Sequence, residues 1–277
     1  MVWLLKHGVS LSVLYLLSLN VYSQRIYSTS FEGWPNHKEY TKACLKADGF
    51  KLNWTDGFDQ ARVIIDSSIS HSGHNSIRVQ YPKGGVGPSQ TGAQAALHFD
   101  GKKNVYASYW LYFSDNFDWG GKHEGGKLPG LAGNKNCSGG QHCDGTNGFT
   151  ARLMWRTNGK AVLYLYHMDK PGKYGEDIPL MIEDKQVVFE KEKWYHITER
   201  VKINSGNKKN GEIEIWVNGQ QVLSKTGLRF VNDGSLIDNF YFSTFHGGAG
   251  QDWAPDADCY IWFDDLVVST RKADVLD

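Results

Sequence analysis

The sequence predicts an all-β fold, either a sandwich or a barrel, and three observations support this prediction. Short segments of alternating apolar and polar residues recur along the chain, with turn residues between them, as expected of strands that bury one face. No segment keeps a helical period over three turns, and no internal repeat or low-complexity linker interrupts the chain. The 277 residues include 31 glycines, and a single β-sandwich often reaches this length.

The predicted strands follow one another along the chain. They are Arg25–Phe31, Ala61–Asp66, Ser76–Tyr81, Ala93–Phe99, Val105–Phe113, Trp194–Ile203, Gly211–Val217 and Tyr260–Ser269, with a hairpin at Phe149–His167. The later strands resemble those of the jelly-roll sandwiches of lectins and glycan-active enzymes. We therefore predict one concanavalin-like jelly-roll β-sandwich over residues 24–277, with a concave sheet that cradles an extended chain.

Residues 1–23 have the features of a secretory signal peptide. Lys6 precedes an apolar run from Val9 to Val21, and Ser23 offers a small-residue cleavage site. An uncleaved membrane anchor is the alternative, but the run is short for a span and no later stretch qualifies. We expect a secreted, extracellular protein without a membrane partner.

Charge and aromatic content narrow the range of partners. Lysine plus arginine and aspartate plus glutamate each number 30, so no overall charge favours nucleic acid. Ten tryptophans and fourteen tyrosines fit a turn-rich β protein with exposed aromatic rings, a composition common where sugars are bound. We expect a monomer that binds no nucleic acid.

Four cysteines suit a secreted protein and allow three pairings. Cys137 and Cys143 lie in one Gly-rich loop, so a local bridge between them is easy. Cys44 and Cys259 then remain as a second pair, which ties the N-terminal region to the penultimate strand. A metal site is the competing interpretation, but the histidines near this loop match no zinc spacing, so we expect no metal and no cofactor.

The hairpin at Phe149–His167 has a register that depends on its loop. A two-residue turn at Asn158 and Gly159 mixes polar and apolar residues on both faces. A three-residue loop, which pairs Arg156 with Lys160, separates them, and register normally follows the hydrophobic pattern. We therefore predict the three-residue loop, with an apolar face made of Ala151, Leu153 and Trp155 opposite Leu165, Leu163 and Ala161.

The other face of the hairpin carries a guanidinium beside two phenols. Thr150 lies opposite Tyr166. Arg152 lies opposite Tyr164, and opposed side chains sit about 5 Å apart at Cβ. Taken alone, this face is more simply interpreted as an ordinary solvated sheet surface. His167 points to the opposite face and is expected to be a buried structural imidazole.

Glycoside hydrolysis is a possible activity of a jelly roll, but its motif is incomplete here. A glycosidase needs two carboxylates that face one sugar, and laminarinase-type glucanases carry three acids alternating on one strand. Glu212 and Glu214 alternate, but the third position is Trp216. We expect both glutamates to face solvent.

The stretch Tyr109–Leu131 is the most specific in the sequence because it contains GGKLPG at residues 125–130. It resembles the corresponding segment of polysaccharide lyase family fourteen, the alginate lyases of molluscs and algal viruses. The resemblance continues through CSGG, ARLMWR, YLY and FSTFHGG, at residues 137–140, 151–156, 164–166 and 242–248. It covers most of the chain after the signal peptide, and such motifs in one order are specific.

The resemblance implies two groups of site residues. The catalytic residues are Lys127, Arg152, Tyr164 and Tyr166. The substrate-binding candidates that it implies are Gln94 and Thr150, and His246 is added because of its position in the sequence. Thr150 stands where some relatives have serine, and Gln94 matches an amide that relatives, including the related glucuronan lyases, place in the cleft. His246 lies in a Gly-rich loop that is expected to border the cleft.

These residue types suit β-elimination on a uronate chain, which removes the proton at C5 and expels the 4-O-linked sugar. Cationic and amide groups on the carboxylate stabilise the developing charge, and Arg152, Lys127 and Gln94 are expected to supply them. A tyrosine with a pKa near 10 is a poor base at neutral pH, but adjacent cations favour its phenolate. Tyr164 is therefore the main acid/base candidate, with Tyr166 as its partner.

Three functions stay open at this point. The resemblance implies a secreted alginate lyase that prefers mannuronate stretches and acts on an anionic polysaccharide. A lyase on another polyuronate, such as glucuronan, uses the same chemistry with different subsites. A non-catalytic carbohydrate-binding jelly roll is the third, although a binding module needs aromatic platforms and not this set of basic and phenolic groups.

Overall fold

The computed structural model describes residues 25–248 and 250–276, so the predicted signal peptide at residues 1–23 lies outside the described residues. Within these ranges the chain forms sixteen strands and one α-helix. They are β1 (Arg25–Thr29), α1 (Lys42–Ala47), β2 (Val63–Asp66), β3 (Ser76–Tyr81), β4 (Ala93–Lys102), β5 (Asn104–Phe113), β6 (Gly125–Gly133), β7 (Phe149–Arg156), β8 (Ala161–Tyr166), β9 (Glu176–Pro179), β10 (Met181–Ile182), β11 (Lys185–Gln186), β12 (Trp194–Lys202), β13 (Gly211–Val217), β14 (Gln220–Leu228), β15 (Ile237–His246) and β16 (Cys259–Ser269). No helix in the described part of the chain is long and apolar enough to cross a membrane.

Two large antiparallel sheets build the described part of the chain, and β10 and β11 form a separate two-stranded sheet. The eight-stranded sheet has the order β14-β13-β12-β5-β16-β3-β2, and β1 also pairs with β16. The six-stranded sheet has the order β4-β15-β6-β7-β8-β9. Many neighbouring strands are distant in sequence, as β15 between β4 and β6 illustrates. The architecture is the predicted jelly-roll β-sandwich.

The hydrophobic core lies between the two sheets. Each strand sends alternate side chains inward, and the apolar face of β7 is fully buried at Ala151, Leu153 and Trp155. Aromatic contacts join the sheets, with 6.1 Å between the ring centroids of Phe113 and Trp155. Burial of these alternating residues fixes which face of each strand points outward.

The predicted register of the central hairpin is confirmed. Arg152 pairs with Tyr164 across β7 and β8, and the backbone N–H of Arg156 donates to the carbonyl of Lys160 at 2.8 Å. Asn158 has a φ of 55°, a left-handed conformation that asparagine tolerates better than most residues. The loop therefore spans three residues, as the hydrophobic pattern indicated.

The second predicted disulfide is wrong. Cys44 lies in α1 and Cys259 on β16, and both are free and buried. The Cys44 thiol lies 3.6 Å from the carbonyl of Glu39, while burial raises the pKa of the Cys259 thiol to about 12. Each cysteine packs as a small apolar core residue. The even number of cysteines therefore led to a wrong prediction of a second bridge.

Candidate active site

A row of side chains crosses the face of the six-stranded sheet that points away from the core. The register pairs Tyr241 of β15 with Gly130 of β6, and Gly130 with Arg152 of β7. Arg152 pairs in turn with Tyr164 of β8. An added Cβ at Gly130 would lie 2.0 Å from the carbonyl oxygen of Ala151, so this position excludes a side chain and leaves the floor open between Tyr241 and Arg152.

This row forms the floor of a cleft with a volume of about 720 Å³. Its polar lining includes Gln94, Lys127, Arg152, Tyr164, Tyr166 and Tyr241. The structure therefore brings the four predicted catalytic residues together with Gln94. Thr150 and His246 do not line the cleft.

A loop closed by a disulfide covers one side of the cleft. Cys137 and Cys143 are bonded to each other, with 5.8 Å between their Cα atoms, which confirms the pairing expected from their spacing. The backbone N–H of Gly140 donates to the hydroxyl of Tyr166 at 2.9 Å. The loop therefore holds this phenol in position.

The structure corrects the substrate-binding prediction for Thr150. Its side chain is fully buried, and its hydroxyl donates to the carbonyl of Cys137 at 3.1 Å. The disulfide loop covers Thr150, which anchors the loop and does not reach the cleft.

Removing the bridge with Cys137→Ser and Cys143→Ser is expected to lower the free energy of unfolding by about 2 kcal/mol, because the reduced loop gains entropy when unfolded. Turnover should also fall, since Gly140 no longer fixes the Tyr166 hydroxyl. Urea denaturation and single-turnover kinetics measure the two effects. The control, Cys44→Ala, removes a buried thiol outside the cleft and is expected to lower stability only. Full turnover by the folded double variant would contradict the role of the loop.

Lys127 lies on a buried strand and not in a solvated loop, because β6 is buried along its whole length. The pairing of β6 with β7 is interrupted between Lys127 and Gly130, where Pro129 has no backbone N–H to donate. Beyond this irregularity, the N–H of Leu131 donates to the buried carboxyl of Glu199 at 2.8 Å. This contact fixes the strand that carries Lys127 against β12.

The amine of Lys127 has unusual neighbours. Its Nζ lies 2.9 Å from the sulfur of Met154 and 4.0 Å from the centroid of the Tyr164 ring. Neither neighbour is an anion. Burial, together with the positive charges of Arg152 and Arg156, holds the pKa of Lys127 well below its usual value. An amine in this environment is neutral over a wider pH range than a solvated lysine, and it can accept a proton.

Arg152 is the buried cation of the cleft. Its Nη1 donates to the hydroxyl of Ser243 at 3.0 Å, and its Cζ lies 5.0 Å from the centroid of the Tyr241 ring. Its Nε has no hydrogen-bond partner within the described residues. A buried, under-bonded guanidinium is costly, and a bound carboxylate would supply the missing acceptor.

Gln94 is held in place by three neighbours. Its Nε2 donates to the carboxylate of Asp56 at 2.9 Å. Its Oε1 accepts from the hydroxyls of Tyr241 and Ser243 at 3.1 and 3.3 Å. Because Ser243 also bonds Arg152, the amide belongs to the network that orients the guanidinium.

The pKa of Tyr164 departs from its usual value in the direction opposite to the sequence expectation. Burial, aided by the 3.4 Å contact between its hydroxyl and that of Tyr166, raises the pKa of Tyr164. Arg156, 5.6 Å from the ring centroid, opposes this shift but does not outweigh it. The phenol of Tyr164 is therefore protonated at neutral pH and is suited to donate a proton.

The two buried histidines have structural environments. His246 is the last residue of β15 and is fully buried, and its Nε2 lies 2.7 Å from the carbonyl of Asp118. Burial lowers the pKa of His246 to about 4. Phe245, Gly247 and Gly248 line the cleft, so the segment borders the cleft as expected, but the His246 side chain points away and does not bind there. His167 is also buried, beside the carboxylate of Glu176 at 3.1 Å, as expected.

The carboxylates considered for hydrolysis lie elsewhere. Glu212 and Glu214 both pair with Arg200, at 3.2 and 2.6 Å, on the eight-stranded sheet and outside the cleft lining. Within residues 25–248 and 250–276, no three His, Cys, Asp or Glu side chains form a group that could hold a metal ion.

Sequence reasoning assigned no role to three contributors to the site. Met154 alternates with Arg152 on β7, so the hairpin register itself was a sufficient signal. Tyr241 and Ser243 alternate on β15, a strand that the sequence analysis did not delimit, although FSTFHGG was part of the resemblance. Recognising that strand would have placed both hydroxyls on the cleft face.

Comparison with known proteins finds solved alginate lyases with a similar fold. The alginate lyase Aly36B has 25% sequence identity and a TM-score of 0.75, and the match covers 92% of this chain and 99% of that chain. The marine alginate lyase from Aplysia kurodai has 26% identity and a TM-score of 0.73 over 90% of this chain and 100% of that chain. The alginate lyase vAL-1 from Chlorella virus, with 19% identity and a TM-score of 0.63 over 85% of this chain and 100% of that chain, shares the fold. A comparison with curated protein sequences finds no match.

One of these relatives, Aly36B, has been solved with a bound alginate oligosaccharide. An Aly36B variant in which a lysine and a tyrosine are replaced by alanine has been solved with an alginate tetrasaccharide. The family model described as Polysaccharide lyase 14 matches residues 69–266 of the present chain. This range is more than half of the sequence and includes the whole predicted catalytic set. The chain therefore belongs to polysaccharide lyase family 14.

Proposed function

We propose that this protein is a secreted alginate lyase that cleaves mannuronate-rich stretches by β-elimination without a metal ion. One observation carries the proposal: a buried amine of lowered pKa, Lys127, lies against a phenol of raised pKa, Tyr164. Base and acid are the two groups that elimination requires. Membership of the family and the alginate-bound relative support the substrate class, and the signal-like pattern of residues 1–23 supports secretion.

Arg152 binds the carboxylate of the uronate at the reacting bond. Its partners within the described residues are the Ser243 hydroxyl and the Tyr241 ring, so its charge is not neutralised by a protein carboxylate. When the C5 proton leaves, negative charge spreads onto the substrate carboxylate, and a guanidinium held there stabilises it more than it stabilises the ground state. Gln94 keeps Ser243 and Tyr241 in place for this contact.

The proton steps assign distinct roles to the two neighbouring groups. The neutral Lys127 amine takes the C5 proton, and the C5–H electron pair becomes the C4–C5 double bond. The bond between C4 and the leaving oxygen breaks, and that oxygen takes the hydroxyl proton of Tyr164. The products are an unsaturated uronate end and a free hydroxyl. Transfer of a proton from the Lys127 ammonium to the Tyr164 phenolate restores the starting state.

The placement of the two groups favours one stereochemistry. The Lys127 amine is 4.0 Å from the Tyr164 ring centroid, so base and acid approach the sugar from one side. In β-mannuronate the C5 hydrogen and the O4 substituent are cis, whereas in α-guluronate, the C5 epimer, they are trans. Removal of both from one face therefore suits mannuronate. β-Glucuronate has the same cis relation, so glucuronan is the second candidate substrate.

The stereochemical argument predicts a block preference. We expect kcat/KM on mannuronate blocks to exceed that on guluronate blocks at least about tenfold, because a trans pair places one of the two groups out of reach. Initial rates of double-bond formation on defined blocks and on glucuronan measure it. Equal rates on both alginate blocks would contradict elimination from one face, and a higher rate on glucuronan would favour the alternative substrate.

Metal independence is proposed because Arg152 provides the positive charge that a Lewis-acidic metal otherwise supplies at the carboxylate. Dialysis against a chelator is therefore expected to leave the rate of double-bond formation unchanged. Loss of activity that one divalent cation restores would contradict this mechanism.

A further inference from the structure

Two of the exposed apolar side chains lie beside the cleft. Among the described residues, three large hydrophobic side chains are exposed: Trp54 at 38%, Tyr174 at 59% and Val188 at 42%. Exposed aromatic rings give up the burial energy of about 1.5–3 kcal/mol that a core position supplies. An exposed ring beside a ligand cleft recovers part of this burial energy when it stacks on a sugar.

Trp54 is fixed at the β4–β15 side of the cleft. Its ring meets the Tyr241 ring edge to face, with 6.2 Å between the centroids and 84° between the planes. The segment that carries Trp54 is anchored on both sides by isolated backbone β-bridges. One joins Lys51 to His98, and the other joins Asp56 to Gln94. The exposed indole is therefore a defined surface that continues the row from Arg152 through Tyr241.

Tyr174 is fixed at the opposite side, near β8 and β9, and it lines the cleft. Its neighbour Gly175 leaves no room for a side chain, since an added Cβ would lie 2.7 Å from the Tyr166 ring and 2.9 Å from the Tyr164 ring. An added Cβ on Gly140, in the disulfide loop, would lie 3.2 Å from the Tyr174 ring. The loop that holds Tyr166 therefore also packs against the Tyr174 ring.

The strand order places the two rings on opposite sides of the reacting groups. Along β15, β6, β7 and β8 the cleft row runs from Tyr241 through Arg152 to Tyr164. Trp54 extends this row beyond Tyr241, and Tyr174 extends it beyond Tyr164. We propose that Trp54 and Tyr174 are stacking platforms for sugar units on either side of the cleaved bond, which make the enzyme prefer long chains. This inference rests on the proposed lyase function.

The surroundings of the two platforms differ in charge. The Nζ of Lys173 lies 5.6 Å from the centroid of the Tyr174 ring, so a uronate on that ring also meets a cation. Near Trp54 in the chain, the Asp56 carboxylate accepts from Gln94 and the Lys42 amine donates to the carbonyl of Asn53. The two charges have opposite signs, so binding at Trp54 relies on the apolar face of the sugar. Added salt is therefore expected to weaken the contribution of Tyr174 more than that of Trp54.

The test compares Trp54→Ala and Tyr174→Ala with wild type on oligomannuronates of increasing length. The readout is the ratio of kcat/KM on the longest chain to kcat/KM on the shortest oligomer cleaved. We expect each variant to lower this ratio about tenfold, the equivalent of one lost stacking contact. Val188→Ala, which removes an exposed apolar side chain outside the cleft lining, is the control and should keep the wild-type ratio.

The outcomes separate this inference from the proposed function. If the wild type cleaves the chains and both alanine variants keep the wild-type length preference, Trp54 and Tyr174 are not stacking platforms. The proposed lyase function would then stand. Wild type that cleaves no polyuronate of any length would overturn both. Trp54→Phe guards against misfolding, because it keeps an aromatic face and is expected to retain an intermediate ratio.

Discussion

Tyr164→Phe is expected to lower turnover by about two to four powers of ten, the usual contribution of a positioned general acid, and to leave polymer binding nearly intact. The substitution keeps the ring, including its face toward the Lys127 amine, and removes only the hydroxyl that protonates the leaving oxygen. The raised pKa of Tyr164 means that this hydroxyl carries its proton at neutral pH. Single-turnover rates and the affinity for an inert oligomer measure the two effects.

Two further variants define what a loss at Tyr164 means. Tyr112→Phe removes a phenol from the outer face of the eight-stranded sheet and is expected to have wild-type turnover. Arg152→Ala is expected to weaken both binding and rate, because it removes the charge that meets the carboxylate before and during the reaction. If Tyr164→Phe has near-normal turnover and Tyr166→Phe is inactive, Tyr166 and not Tyr164 is the acid. Activity in both would remove the hairpin from the catalytic mechanism.

Lys127→Arg is expected to be as inactive as Lys127→Ala, with a loss of at least about two powers of ten in kcat. A guanidinium keeps the positive charge but stays protonated, so it cannot take the C5 proton. The sequence alone suggested Lys127 as a cation on the carboxylate, and in that role arginine would restore part of the rate. Substantial rescue by Lys127→Arg would therefore contradict the base assignment.

The pH dependence follows from the same two groups. The base acts only when deprotonated, so kcat/KM falls as pH drops below the lowered pKa of Lys127. The acid acts only when protonated, so kcat/KM falls again as pH rises through the raised pKa of Tyr164. We expect a bell-shaped profile for the wild type. Arg156 is one of the charges that lower the pKa of Lys127, so Arg156→Gln is expected to raise that pKa and to move the acid limb toward alkaline pH. An acid limb unmoved by Arg156→Gln would contradict the assignment of that limb to Lys127.

The sequence predicted the parts of the site that depend on local pattern. The hairpin register follows from alternation over β7 and β8 alone, and it placed Arg152 opposite Tyr164 correctly. The Cys137–Cys143 bridge follows from a spacing of six residues. These features need no knowledge of distant partners.

The features that the sequence missed depend on contacts between distant segments. The low pKa of Lys127 arises from burial on β6 beside Met154 and two arginines, and β6, with its glycines and Pro129, lacks an alternating pattern. The pKa of Tyr164 was expected to fall because cations were counted, whereas burial has the larger effect. Cys44 and Cys259 were paired by elimination, but both are free and buried in the hydrophobic core.

The most direct test of the account is the chemistry of the product. Wild-type protein is incubated with mannuronate-rich alginate, and the products are followed by ultraviolet absorbance and by mass. The account predicts an absorbing C4–C5 double bond at each new non-reducing end and products whose masses sum to that of the polymer without added water. Products that do not absorb and whose summed mass exceeds that of the polymer by one water per cleaved bond would show hydrolysis. Binding without cleavage would show a carbohydrate-binding module, and either result would contradict the account.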